Sequence, residues 1–319
     1  MTDQAVHPAG GNTVESVLRD ELAQGDTVAD TFLPVLRHLV SADDSSLFSE
    51  EVLARLRAMV SDLSSALLEA LVDGGETDSV ASAALLGELD VLSRALLDEP
   101  ALLRHLHALA LEWQLTERLQ ARLALDPVVS PLVQQLIASA DADTQRDAMA
   151  FLAAQARWCQ TQRRMQVALG ELPGPLVQGV IALLRRLVGE GTALQARVDR
   201  IEGNLDAGRC ERESRLELGA RLLQRMGSGS GEALSLTHAG TALFLTALAL
   251  GSALDRDMVI FSTHETQIAR LALALRAAGA RPSMVEEQFL VLHPQITLPP
   301  GFERLDSTLA AQMLVAGTV

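Results

Sequence analysis

ALLRHLHALALEWQLTERLQARLAL, residues Ala101–Leu125, decides the fold class. Leu102, Leu106, Leu109 and Trp113 recur at spacings of four, three and four and build one apolar stripe of a helix. Leu111, Leu115, Leu119 and Leu123 recur every four residues and build a second stripe on another side. A helix that is apolar on several sides must be surrounded, so this segment predicts a central, buried helix. Pro100 stands at its first turn, where a missing amide hydrogen is harmless.

The same periodicity extends outward in both directions. Val52, Leu56, Met59, Leu63, Leu67 and Leu71 form a stripe that Gly74-Gly75 should stop, and residues 81–97 repeat the pattern. Upstream, Asp43 to Ser46 reads as a loop, and Pro34 as a first-turn or break signal within one or two short helices over residues 13–39. Downstream, Asp126-Pro127 and Ser130-Pro131 each look like a cap followed by a first-turn proline. Residues 144–169 predict a long helix, broken by Pro173-Gly174-Pro175, and residues 176–188 another. Residues 192–226 read as a charged, exposed helix pair, with Leu194, Val198, Ile201 and Leu205 at heptad-like spacing. Ser262-x-x-Glu265 and Ser283-x-x-Glu286 match capping boxes. No run predicts a strand convincingly.

These signals give an all-α chain, a multi-helix bundle or short HEAT-like solenoid with a small C-terminal helical module. The expected organisation is a flexible leader at 1–12, a bundle at 13–226, a Gly/Ser linker at 227–231, a three-helix module at 232–298 and a tail at 299–319. Helix–loop–helix units recur, but without a clean period.

Composition bounds the function. The chain has 319 residues, 48% of them hydrophobic but only 3% aromatic, which suits close helix-on-helix packing of Leu and Ala. It contains no lysine, so a Schiff base, a lysine base and a phosphate-loop lysine are excluded. The net charge of −15 is uneven: residues 1–100 carry 19 acids and 5 arginines, the remainder 22 acids and 21 arginines. That field disfavours nucleic acid and predicts a protein partner with a basic surface. Cys159 and Cys210 lie far apart without ligand spacing, which predicts a reducing, cytoplasmic setting. No basic region followed by an apolar stretch opens the chain, so no signal peptide is expected. Residues 233–254 carry no formal charge over a membrane-spanning length, but His238, two glycines and the absent tyrosine belt favour a buried helix over a span.

Few residues suggest chemistry. His105 and His107 flank Leu106 beside Arg104, and an exposed imidazole there could accept a phosphoryl group from a relay partner; a half-buried histidine beside a core face is the plainer reading. His264-Glu265 lacks the second histidine of a zinc-protease helix, because position 268 is Ile268. His238 reads as a core histidine. No histidine pairs with a carboxylate or cysteine at ligand spacing, so no metal is expected, and no phosphate-loop, dinucleotide or nucleophile-elbow motif implies a cofactor. Arg157, Gln162, Arg163, Arg164 and Gln166 place cations and amides on adjacent turns of the 144–169 helix, with Arg185-Arg186 in the next. They could line a groove for a carboxylate, a phosphate or an acidic peptide, or dock on the chain's own acidic first third.

Three segments, Gln160–Pro173 (QTQRRMQVALGELP), Ala239–Ala249 (AGTALFLTALA) and Leu271–Val291 (LALALRAAGARPSMVEEQFLV), give the chain a layout. That layout resembles an uncharacterised alphaproteobacterial domain-of-unknown-function family of helical proteins. The resemblance implies a HEAT-like helical fold and no assigned activity. The expectation is a non-enzymatic protein–protein interaction or regulatory scaffold. An enzyme or anion binder with an arginine-lined pocket and a phosphorelay component are its rivals.

Overall fold

A computed structural model describes residues 13–41, 50–72, 89–189, 192–211 and 213–316. The expected leader, the Asp43–Ser46 loop, the Gly74-Gly75 stop and the start of the 81–97 helix lie outside the described residues. Within them the chain is all-α. The helices are α1 (Val14–Ser41), α2 (Glu50–Val72), α3 (89–97), α4 (Pro100–Leu123), α5 (Pro131–Ile137), α6 (Ala142–Arg163) and α7 (Gly174–Val188). There follow α8 (Thr192–Glu211), α9 (Arg215–Met226), α10 (Leu236–Ser252), α11 (Arg256–Ser262), α12 (Ile268–Ala277), α13 (Pro282–Leu292) and α14 (Ser307–Ala316).

Helix α4 is central, as its two stripes require. Ala108, Leu115 and Leu119 enter one apolar cluster with Leu18 and Leu22 of α1, α5, α6 and α9–α14. Leu102, Leu103, Leu106, Leu109 and Ala110 enter a second cluster with Leu36 of α1 and residues of α2, α3, α7 and α8. Trp113 packs edge-on to Trp158 in a third, small cluster with Cys159, with ring centroids 5.8 Å apart. Each leucine so buried contributes about 1.5–3 kcal/mol.

The ends of the elements depart from the sequence reading in specific ways. Pro34 sits inside α1 without ending it, since the helix is held by packing at Leu18, Leu22 and Leu36 and by Arg270. Arg270 is fully buried, hydrogen-bonds Gln267 Oε1 and pairs with Asp26, while Gln267 Nε2 donates to the Gly25 carbonyl at 2.7 Å. Ser262 is the last residue of α11 and donates to the Val259 carbonyl, so it caps nothing, and His264 caps the following 3-10 turn instead. Ser283 lies inside α13, which opens at Pro282 after Arg281. The capping box that does form is Ser214 with Glu217, at the start of α9. Ser130-Pro131 is the pair that opens α5, while Asp126 receives the Val128 and Val129 amides in a turn and no helix starts at Pro127.

The stretch expected as a linker, Gly227 to Gly231, is wound into 3-10 turns over Gly227–Leu234, and Ala233 and Leu234 are buried in the cluster shared by α4–α6 and α9–α14. The uncharged 233–254 segment becomes α10, bent at Gly240 (φ 72°), where an added Cβ would lie 2.9 Å from Ser130 Cβ. It is a core helix, and no described helix is long and apolar enough to cross a membrane.

Candidate binding cleft

The face of α4 that carries polar residues among its leucines positions two features, a buried ionic joint and an open cleft. At the joint, Glu112 is 0% exposed. Arg215 of α9 reaches it with two hydrogen bonds of 2.8 Å, and Arg256 of α11 with two of 2.9 Å. Burial pushes the Glu112 carboxyl up, but the charges and hydrogen bonds of Arg215 and Arg256 outweigh it and hold the group well below the usual carboxylate range. The Arg215 guanidinium also stacks 4.0 Å from the Trp158 ring centroid. Two turns before Glu112 along α4, His105 Nδ1 lies 3.0 Å from both carboxylate oxygens of Asp257. These contacts bind α9 and α11 to α4.

The cleft runs along α4 on its other flank and has two chambers. The polar chamber, about 600 Å³, is lined by Glu117, Arg118 and Arg122 of α4, by His264 and Glu265, and by His293 after α13. The apolar chamber, about 400 Å³, is lined by Val28, Phe32 and Val35 of α1, Val52 of α2, His107 of α4 and Phe261 of α11. Leu111, Gln114 and His264 line both, so the chambers adjoin. Their size and mixed lining fall in the range of small-molecule sites.

The local chemistry follows from how each side chain is held. Glu51 and Glu117 flank Arg55 at 3.7 and 3.9 Å. Arg122 donates to the Val291 carbonyl. Arg118 has no hydrogen bond or ion pair with any described residue. The cleft walls desolvate its guanidinium and Arg122 repels it, which together disfavour its charge, and Glu265 offsets only part of this. His293 is 3% exposed, and its Nε2 is buried without a hydrogen-bond partner among the described residues. Burial and the neighbouring Arg118 keep that imidazole below its usual pKa. His264 Nδ1 accepts the Thr266 amide at 3.3 Å, and Thr263 donates its hydroxyl to the Ile260 carbonyl.

The residues singled out in the sequence end up in different settings. His105 and His107 are 3% and 5% exposed, so neither presents the surface imidazole that phosphoryl transfer from a partner requires. His107 packs against Phe32 and Phe261, and burial pushes it down to about 3. Gln162 and Gln166 turn inward. Helix α6 ends at Arg163, and Met165 takes a positive φ of 55°, so Gln166 leaves the helix rather than extending its face. Gln166 Nε2 and the Val167 amide bond Asp62 of α2 at 3.0 and 3.1 Å, which docks this turn on the acidic first third. Gln162, Gln166 and His105 meet Trp158 and Arg215 around a cavity of about 20 Å³, room for a single water-sized sphere and too small for a carboxylate or phosphate ligand. Arg157, Arg163 and Arg164 are exposed, with no ion pair to any described residue. Arg185 pairs with Asp199 and Glu202 of α8, and Arg186 with Glu99. His238 is half-buried near Glu232, not a core residue. No described cluster of His, Cys, Asp and Glu could hold a metal ion. Cys159 is buried, which raises its thiol to about 11, away from thiolate chemistry.

Sequence reasoning passed over Arg118, His293 and Glu112. The first is one arginine among many, the second ends an ordinary helix, and the third sits unremarked in a leucine-rich stripe. No family model, no curated protein and no solved structure matches the chain.

Proposed function

We propose that this chain is a binding protein rather than an enzyme, and that the two-chambered cleft along α4 is where it binds. One observation carries the reading: the cleft joins an apolar chamber to a polar one holding a cation, Arg118, that no described group pairs. The same lining supports a non-catalytic role. Its Thr263 hydroxyl is committed to a backbone carbonyl, and its His264 Nδ1 to a backbone amide. A nucleophile–base pair that could start covalent catalysis therefore does not stand out. Occupancy of the cleft could regulate how the surrounding helices meet a protein partner.

The test is binding of a neutral solvatochromic dye, Nile red, to the folded protein. Gln114 lines both chambers and makes no hydrogen bond with a described residue, so Gln114→Trp fills their junction. Dye fluorescence should rise with the wild type and fall sharply with the variant at unchanged circular dichroism. Equal dye binding by both would contradict the assignment.

A second reading draws on the exposed Arg157, Arg163 and Arg164, which have no ion pair among the described residues and could engage an acidic peptide. Their replacement by glutamine would abolish capture of such a peptide and leave Nile red binding intact.

A further inference from the structure

We infer that the cleft binds an amphipathic carboxylate, its hydrocarbon chain in the apolar chamber and its head group between Arg118 and His293. This rests on the cleft being a binding site at all, and it adds the chemistry of the occupant.

Charge sets the polar chamber apart. Three acids and two arginines line the polar chamber. Glu51 and Glu117 share Arg55, and Arg122 is anchored on the Val291 carbonyl. Glu265 is the remaining acid, and it does not come within ion-pair distance of Arg118. Arg118 is thus an exposed but partly desolvated guanidinium near a second guanidinium, with no hydrogen bond or ion pair to a described residue. An anion placed there gains charge-assisted hydrogen bonds and relieves the repulsion between the two arginines. His293 adds a second group, since it lines the same chamber and its buried Nε2 has no hydrogen-bond partner among the described residues. An imidazole that gains a proton beside a bound anion donates from that nitrogen.

The other half of the ligand is fixed by the adjoining chamber. Val28, Val35, Val52 and Phe261 offer carbon surface, and Val28 and Val35 remain 39% and 37% exposed. Water there is displaced favourably by a hydrocarbon chain. A carboxylate with its own two oxygens matches the fork of one arginine, whereas a bare inorganic anion would leave the apolar chamber unused.

The experiment compares decanoate, decanol and decylamine as displacers of Nile red from the full chain, with the oligomeric state followed by sedimentation velocity. Decanoate should displace the dye about tenfold more effectively than decanol, the worth of a charge-assisted hydrogen bond in a partly dry site, and decylamine least. Arg118→Gln should remove the preference for decanoate over decanol, read as the ratio of the two displacers on that variant; Arg157→Gln, which lines neither chamber, should change neither that ratio nor dye affinity. Equal displacement by decanoate and decanol, or tighter displacement by decylamine, would overturn the carboxylate assignment even with dye binding intact. Failure of Nile red itself to bind would instead remove the cleft reading beneath it. Loss of dye binding on formation of a dimer at higher protein concentration would make the cleft a self-association surface and also overturn the proposal.

Discussion

Glu112→Gln should be among the most damaging single substitutions in this chain. The wild-type carboxylate takes four hydrogen bonds of 2.8–2.9 Å from two arginines and is 0% exposed. Glutamine keeps the shape but removes the charge, and its amide nitrogen points donors at donors. Two guanidiniums are then left close together and underpaired; Arg215 is 2% exposed. Removing one partner of a buried ionic group costs about 3–5 kcal/mol, because the remaining charge loses its compensation. Urea unfolding followed by tryptophan fluorescence reads this directly, since Trp113 and Trp158 are the chain's two tryptophans and Arg215 stacks on one of them. The pH dependence supplies an independent check. The Glu112 carboxyl is held below its usual value of 4.5, so its share of stability is complete above that value. As the pH falls below 4.5 the unfolded chain takes up the proton first, and the wild type loses about 1.4 kcal/mol per pH unit that the glutamine variant does not lose. The gap between the two should narrow with acid. Replacing all three charges with apolar residues (Glu112→Leu, Arg215→Met, Arg256→Met) should recover most of the loss, since the desolvation penalty disappears with the charges. A loss under about 1 kcal/mol for Glu112→Gln at neutral pH would refute the reasoning about this joint.

Three further outcomes follow from other parts of the structure. His107 is held at about 3 against an ordinary 6.5, so its contribution is complete above 6.5 and shrinks as the pH falls. Between about pH 7.5 and pH 5, wild-type stability should drop by about 2 kcal/mol relative to His107→Leu in paired urea titrations. At Gly251 an added Cβ would stand 2.6 Å from Ala278 Cβ and 2.9 Å from its Cα, so Gly251→Ala must push α10 from the end of α12; thermal unfolding should show a loss of about 1–3 kcal/mol. Replacing Arg157, Arg163 and Arg164 together with glutamine should leave the urea midpoint unchanged, because none of the three has an ion-pair partner among the described residues.

The helical architecture was legible because it is written in local periodicity. The two leucine stripes of α4 place it at the centre, and the structure packs it into two apolar clusters, though Leu111 of the second stripe is half-buried and Leu123 is exposed. Positions decided by competition between local signals were not legible. Pro34 forbids one backbone hydrogen bond, yet the packing of α1 keeps the helix going. Ser262 and Ser283 have the spacing of caps, but the helices begin and end elsewhere. The glycines at 227–231 carry linker composition, yet their neighbours Ala233 and Leu234 are apolar enough to be drawn into the core, and the turns follow.

The candidate site was hidden for a different reason. Glu112 meets Arg215 across 103 residues and Arg256 across 144, and His105 meets Asp257 across 152. No spacing rule reaches that far. The Arg/Gln stretch of α6 stood out because its members are adjacent in sequence, but adjacency splits them: Gln162 and Gln166 turn inward while the arginines face solvent. Arg118 and His293 come from segments that share no motif, and they meet in one chamber where Arg122 of α4 reaches the Val291 carbonyl at the end of α13.

The central claim is that the cleft along α4 is the binding surface of this protein. Photolabelling with a small neutral diazirine hydrocarbon, followed by peptide mapping on a mass spectrometer, tests it without assuming the ligand's charge. Label should concentrate in residues 28–35, 107–114 and 261–266. Label spread instead over isolated surface side chains such as Met149 and Leu290, which are 51% and 65% exposed, with the cleft unmarked, would contradict it.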